Sequence, residues 1–201
     1  MIKFYYGMSG AFKATTITAE NKRSGNNASV VWSMIKPWKS YESGVFKNLT
    51  APDHLNFAML HLCNLESILR ETTRQNILVE RGVTDAIFYW LRNNPSAENE
   101  CGWIIRAVEE ELELCKGREV NKTLLVMKDR DFIENTILSE PSRAAVFPLG
   151  VNSYLEDQEK YIEFTKRYNS ISNTVEITYA RDYFLSLGLM YIDLNKILLW
   201  K

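Results

Sequence analysis

Cysteine, net charge and long apolar runs are all scarce in this chain, and each scarcity excludes a class of protein. The three cysteines, Cys63, Cys101 and Cys115, are widely spaced and form no Cys-x-x-Cys pair. Neither a disulfide framework nor a zinc site is expected, and the thiols read as reduced groups in or near a core. The formal net charge is -1, too small for a global field that gathers DNA, RNA or an anionic membrane. No apolar run reaches the ~18 residues that cross a bilayer. The N-terminal MIKFYYGMSG lacks the basic start and long apolar stretch of a secretory signal. A cytoplasmic protein with no membrane partner is the expectation. His54 and His61 miss the His-Glu-x-x-His spacing of zinc hydrolases, and Ser9 lacks the Gly-x-Ser-x-Gly elbow of serine hydrolases.

Apolar material, by contrast, is ample. At 201 residues and 46% hydrophobic, the chain suffices for one α/β domain spanning 1–201. Strands are predicted at 2–6, 28–35, 76–79, 123–127 and 174–179. Helices are predicted from Lys13, over 53–75, after Gly82 as far as Asn93, and over 102–115, 154–168 and 182–187. Residues 39–51 read as a loop, 128–150 as a polar stretch carrying Pro141 and Pro148, and the tail 190–200 as an edge hairpin. Glu109, Glu110, Glu111 and Glu113 read as a solvated helix face. Strands alternating with helices imply βαβ units, hence a mostly parallel sheet with helices on both faces. Ligands of such sheets bind beyond the carboxyl ends of the strands. Residues 7–13, the Glu80-Arg81 pair and residues 128–130 all fall at such ends.

Residues 7–16 read GMSGAFKATT. Gly7, Gly10 and Lys13 match a phosphate-binding loop between a strand and a helix. Glycines let main-chain N–H groups curl around phosphate oxygens, the lysine reaches the outer phosphates, and the following helix adds its positive end. Ser9, Ala11, Phe12, Ala14 and Thr15 complete the candidate cradle. Phe12 stands where a glycine usually precedes the lysine, and Ala14 where a Ser or Thr usually ligates Mg²⁺. Ser9 and Thr15 are the nearest hydroxyls.

With those residues on view, the chain resembles the P-loop deoxynucleoside kinases and thymidylate kinases. YGMSGAFKATT is one point of likeness. LNFAMLHLCNLESIL at 55–69 looks like the helix that lines the acceptor site of thymidylate kinases. NILVERGVTDAIFYW at 76–90 is similar to the strand-end Glu-Arg-Ser motif of the nucleoside kinases and the Asp-Arg-Tyr motif of the thymidylate kinases. SYLEDQEKYIEFTKRYN at 153–169 resembles the helix that follows their lid. Paired lid arginines four residues apart and a Glu-Pro pair after the second strand are missing; Lys36-Pro37-Trp38 stands at the latter place.

The resemblance implies a three-layer P-loop fold with a short lid at about 128–150, and ATP with Mg²⁺ as cofactors. Lys13, Glu80, Arg81 and Asp85 would be catalytic, Thr15 and Glu80 would hold the metal, and Lys128, Arg130 and Arg143 would form the lid. Trp38, Tyr41, Phe57 and His61 are the aromatic candidates for the acceptor. The implied reaction is phosphorylation of a deoxynucleoside monophosphate. A nucleoside, or a modified base in DNA, is the alternative acceptor, and a non-catalytic nucleotide-binding protein is the alternative class. Family members often dimerise through helices, so a homodimer is a further expectation. A small chain with a drifted loop also suits a bacteriophage enzyme acting in the host cytoplasm.

Overall fold

The structure, a computed structural model, describes residues 1–33, 51–93, 102–144 and 146–189. Its centre is a five-stranded parallel sheet in the order β2-β3-β1-β4-β5. The strands are β1 (Ile2–Tyr6), β2 (Ala28–Val31), β3 (Asn76–Glu80), β4 (Val120–Met127) and β5 (Asn173–Ile177). Ile2, Phe4, Ile77, Val79, Leu124 and Val126 are fully or almost fully buried, as strands covered on both faces require. β5 is an edge strand, and Asn173, Thr174 and Glu176 are exposed along it.

The main helices are α1 (Lys13–Arg23), α2 (Ala51–Glu71), α3 (Val83–Asn93) and α4 (Gly102–Leu114). A short helix α5 (Arg130–Phe132) runs into a π-helical turn, Ile133–Ile137; α6 (Pro141–Ala144), α7 (Val151–Tyr168) and α8 (Ala180–Ser186) follow. α1 packs on Tyr5 and Leu78 through Ile17. α2, α3 and α4 share a second apolar cluster of Ala58, Leu62, Val83, Ala86, Ala107 and Val108. No helix among the described residues is long and apolar enough to cross a membrane.

The structure departs from the sequence reading at several places: β5 ends at Ile177 and α2 at Glu71, short of the expected 179 and 75, and three further differences bear on the site. β2 stops at Val31, because its ladder with β3 ends there; Trp32 and Ser33 are not strand. The stretch 128–150 is not simply polar. Ile133, Ile137 and Phe147 are buried in the main core, and the π-helical turn presents both isoleucines inward. Glu111 is not solvated but buried, at 1% exposure. The tail hairpin, most of the 39–51 loop and Cys101 lie outside the described residues.

β1 is central. After it the chain builds β2 and β3 on one side, then β4 and β5 on the other. Such a switch in direction opens a crevice at the carboxyl end of the strand about which it occurs. Tyr5 pairs with Glu80 in the ladder, so the loop after β1 and the turn after β3 leave the sheet side by side.

Candidate functional site

Two features at that rim hold unusual backbone. The loop between β1 and α1 turns through Gly7 at φ 152° and Gly10 at φ 80°. A Cβ on Gly7 would lie 2.7 Å from the Leu125 carbonyl oxygen, a backbone atom that cannot yield. Phe12, the N-cap of α1, takes φ 54° and ψ 18°, the left-handed conformation that glycine ordinarily supplies. Its ring does not enter the loop. It packs at a tilt against Phe132 (centroids 5.1 Å apart), Tyr183 (6.0 Å) and Phe184 (6.4 Å), in an apolar nook between α5 and α8. Those contacts offset the local backbone strain.

Lys13 is buried at 4% exposure, and its ammonium donates to the Met8 carbonyl at 2.8 Å. The lysine therefore bends back over the loop that precedes it. α7 fastens this loop from above. The Tyr154 hydroxyl donates to the Ser9 carbonyl at 2.6 Å, and the Gly7 N–H donates to the Tyr161 hydroxyl at 3.0 Å. Beneath, a Cβ on Gly10 would meet Ile137 Cδ1 at 2.4 Å, so the π-helical turn sits directly against the loop.

The second feature is the turn after β3. Arg81 has φ 69°, and its N–H donates to the Tyr5 carbonyl at 2.9 Å. The Arg81 guanidinium, buried at 4% exposure, donates to Asp85 Oδ1 at 2.5 Å. Asp85, at 1% exposure, also accepts from the Tyr161 hydroxyl at 2.8 Å and weakly from the Gly82 N–H at 3.4 Å. Glycine loop, Tyr161, Asp85 and Arg81 thus form one hydrogen-bonded chain. Glu80 is half-buried, and its Oε2 accepts from the Ser33 N–H at 3.3 Å.

Around this chain lie further buried polar groups. The Tyr6 hydroxyl donates to Asn169 Oδ1 at 3.2 Å, which also accepts from Lys122 Nζ at 3.3 Å. Asn169 Nδ2 donates to Thr84 Oγ1 at 3.0 Å. The Tyr6 phenol is pushed well above its usual range, first by burial and then by the Glu111 and Asp85 carboxylates. It stays a neutral donor.

The structure therefore brings Gly7, Ser9, Gly10, Lys13, Arg81 and Asp85 together. Ala11, within the loop, is fully buried. Ala14 is exposed and Thr15 half-exposed on the first turn of α1. Lys128 pairs with Glu159 and Arg130 bonds Asn152, both partners lying on α7. His61 is not an open stacking face: it is buried, with Nε2 3.1 Å from Glu111 Oε1. Phe57 packs beside Ala58 and Leu62. Trp38, Tyr41 and the Arg143 side chain lie outside the described residues. Sequence reasoning missed Tyr154, Tyr161 and Glu111 as parts of the site. The two tyrosines stand out only as an i, i+7 pair on an apolar helix face, which is also how core residues look.

No protein-family model matches the chain, and no curated protein matches it in sequence. Solved structures match it in fold. The chain is similar to deoxyadenosine kinase from M. mycoides with bound dATP, at 15% identity and TM-score 0.60 over 98% of this chain and 99% of that one. It is similar to thymidylate kinase from Candida albicans at 15% identity and TM-score 0.53, covering 97% of this chain and 92% of that one. It is also similar to shikimate kinase from Bacteroides thetaiotaomicron, at 10% identity and TM-score 0.54 over 93% of each chain. At these identities the likeness shows the fold: the α/β fold of the P-loop kinases.

Proposed function

We propose that this protein is an ATP-dependent phosphotransferase whose acceptor is a deoxynucleoside monophosphate. The observation that carries the reading is the wiring of the Gly7–Lys13 loop to the Arg81–Asp85 pair through the Tyr161 hydroxyl. Phosphoryl transfer asks a protein mainly for alignment and fixed positive charge. Here a lysine opens α1 after the loop from β1, and an arginine follows the end of neighbouring β3, each held by buried partners. Lys13 and the loop N–H groups would take the donor phosphates, with Lys13 exchanging the Met8 carbonyl for phosphate oxygens. Arg81 would lie between donor and acceptor, its planar fork held by Asp85. Lys128, Arg130 and Arg143 would close over the donor and exclude water. Trp38, Tyr41 and Phe57 remain the candidates for the acceptor base.

Glu80 and Thr15 are the side chains that would hold Mg²⁺, and a hard cation of this kind suits a carboxylate and a hydroxyl. It accepts one or two protein oxygens with the rest from water and phosphate. Bound there, the ion would neutralise phosphate charge. Ala14 supplies no oxygen, which favours one other reading, a nucleotide-binding protein without turnover. Likeness to a deoxyadenosine kinase supports a nucleoside as the alternative acceptor.

The test is a coupled assay of ADP release from ATP and Mg²⁺ against nucleosides, nucleoside monophosphates and DNA carrying modified bases. Turnover with a monophosphate, abolished by Lys13→Ala, is expected. Equal rates in that variant would remove the proposed site. Stabilisation by ATP with no acceptor used would favour the non-catalytic reading.

A further inference from the structure

Glu111 sits in an acidic run on α4, yet its carboxylate is buried at 1% exposure. Its Oε1 accepts from the Val83 N–H at 3.0 Å and from His61 Nε2 at 3.1 Å, whereas Oε2 has no hydrogen-bond partner among the described residues. A buried carboxylate with an idle oxygen is a poor choice for stability alone, because apolar packing in the same space serves a fold as well or better. What it holds is the reason to keep it. Val83 is the first residue of α3, and Gly82 before it has no side chain with which to cap the helix. A Cβ on Gly82 would lie 3.0 Å from both Glu111 oxygens and 2.7 Å from Tyr6 Oη. The missing side chain is therefore what admits the carboxylate, and the cap arrives from α4 instead of from the turn itself.

That turn carries the site's arginine. Arg81 holds a left-handed φ of 69°, which any residue with a Cβ resists. On one side it is tied by its N–H to the Tyr5 carbonyl at 2.9 Å. On the other the tie is the first turn of α3, which also bears Asp85, the guanidinium's partner. Releasing Val83 loosens both ends of the Arg81–Asp85 pair together. We propose that Glu111, held by His61, is a positioning residue of this site: by fixing the start of α3 it sets the Arg81–Asp85 pair at the angle that transfer needs. This rests on the kinase reading above. Among the described residues the bonding falls on Oε1, so the role is geometric, and a glutamine that keeps a carbonyl oxygen there can fill it.

The test compares Glu111→Ala with Glu111→Gln in the full chain. Small misplacements of reacting groups cost up to about a hundredfold in rate, so Glu111→Ala is expected to lower kcat by about tenfold or more while KM for ATP stays within about threefold. Glu111→Gln should recover most of that loss. Unchanged kcat in the alanine variant overturns the proposal, and so does a glutamine variant as slow as the alanine one. If Glu111→Ala does not fold, His61→Phe keeps the bulk and removes one bond. A fall in kcat at constant KM then supports the proposal, and wild-type kcat overturns it. If the wild-type protein turns over no acceptor, the kinase reading falls on its own account, and amide hydrogen exchange still reads the positioning unit. Val83–Asp85 amides exchanging about tenfold faster in Glu111→Ala than in Glu111→Gln support it; equal exchange overturns it.

Discussion

The Tyr161 hydroxyl donates to Asp85 Oδ1 at 2.8 Å across 76 residues of chain, and in the same place receives the Gly7 N–H at 3.0 Å. One phenol on α7 therefore ties the loop after β1 to the turn after β3. Both loops carry left-handed backbone, at Phe12 and Arg81, and such conformations persist only where the surroundings over-determine them.

Tyr161→Phe tests that tie. It keeps the ring and its edge contact with Phe88 but leaves the buried Gly7 N–H without this acceptor. An unsatisfied buried donor costs about 1–3 kcal/mol, so urea unfolding should show a loss of that size, with lower turnover alongside. Wild-type stability and wild-type rates together would mean that the phenol does not couple the loops.

Asp85→Asn should be more damaging than its size suggests. Arg81 and Asp85 are both almost fully buried, and removing one partner of a buried ion pair costs about 3–5 kcal/mol. Pairing Asp85→Asn with Arg81→Met should recover a large part of the loss. Strict additivity in that double-mutant cycle would show that the two side chains do not act as a unit.

At position 12 the usual order of alanine over glycine should reverse. Either substitution removes the ring from Phe132, Tyr183 and Phe184. Alanine keeps the left-handed penalty, which glycine escapes, a difference of about 1 kcal/mol. Phe12→Gly should therefore melt above Phe12→Ala in calorimetry. The opposite order would show that the backbone relaxes once the ring is gone.

Cys115 provides a pH signature. Burial, and after it the Glu111 carboxylate, pushes its thiol up from 9.0 to about 11. The folded state thus favours the neutral thiol, while the unfolded chain ionises first. The stability this contributes is full below about pH 9 and is lost as pH rises through about 11. Urea midpoints of wild type should fall across that window more steeply than those of Cys115→Ala. Parallel slopes would refute the shift. Exposed Cys63 should label at neutral pH well before Cys115 does.

Much of the fold is legible along the chain because it is written in short periods. Ile2–Tyr6, Asn76–Glu80 and Leu124–Met127 are apolar runs that only a doubly covered strand buries, and the spacing of Tyr154, Gln158, Tyr161 and Phe164 marks one face of α7. β2 reads too long because Trp32, Ser33 and the apolar residues after them look like strand, whereas its length is set by the β3 ladder. Ile133 and Ile137 lie in a stretch that shows no clear period, and their burial is tertiary: both join the main core, and Ile137 packs against Gly10.

Sequence by itself determined the alternation of strands and helices, the glycines at 7 and 10, and the lysine and arginine that follow two strand ends, since each depends on local periodicity and on which residues tolerate a tight turn. Tertiary structure alone decided that Tyr161 bridges Gly7 and Asp85, that the ring at 12 turns away from the loop, and that of three consecutive glutamates only Glu111 caps α3. The reason is geometric. Successive helical residues point about 100° apart, so which of them meets a partner is set by how α4 and α7 lie against the sheet, and no neighbour in the chain records that.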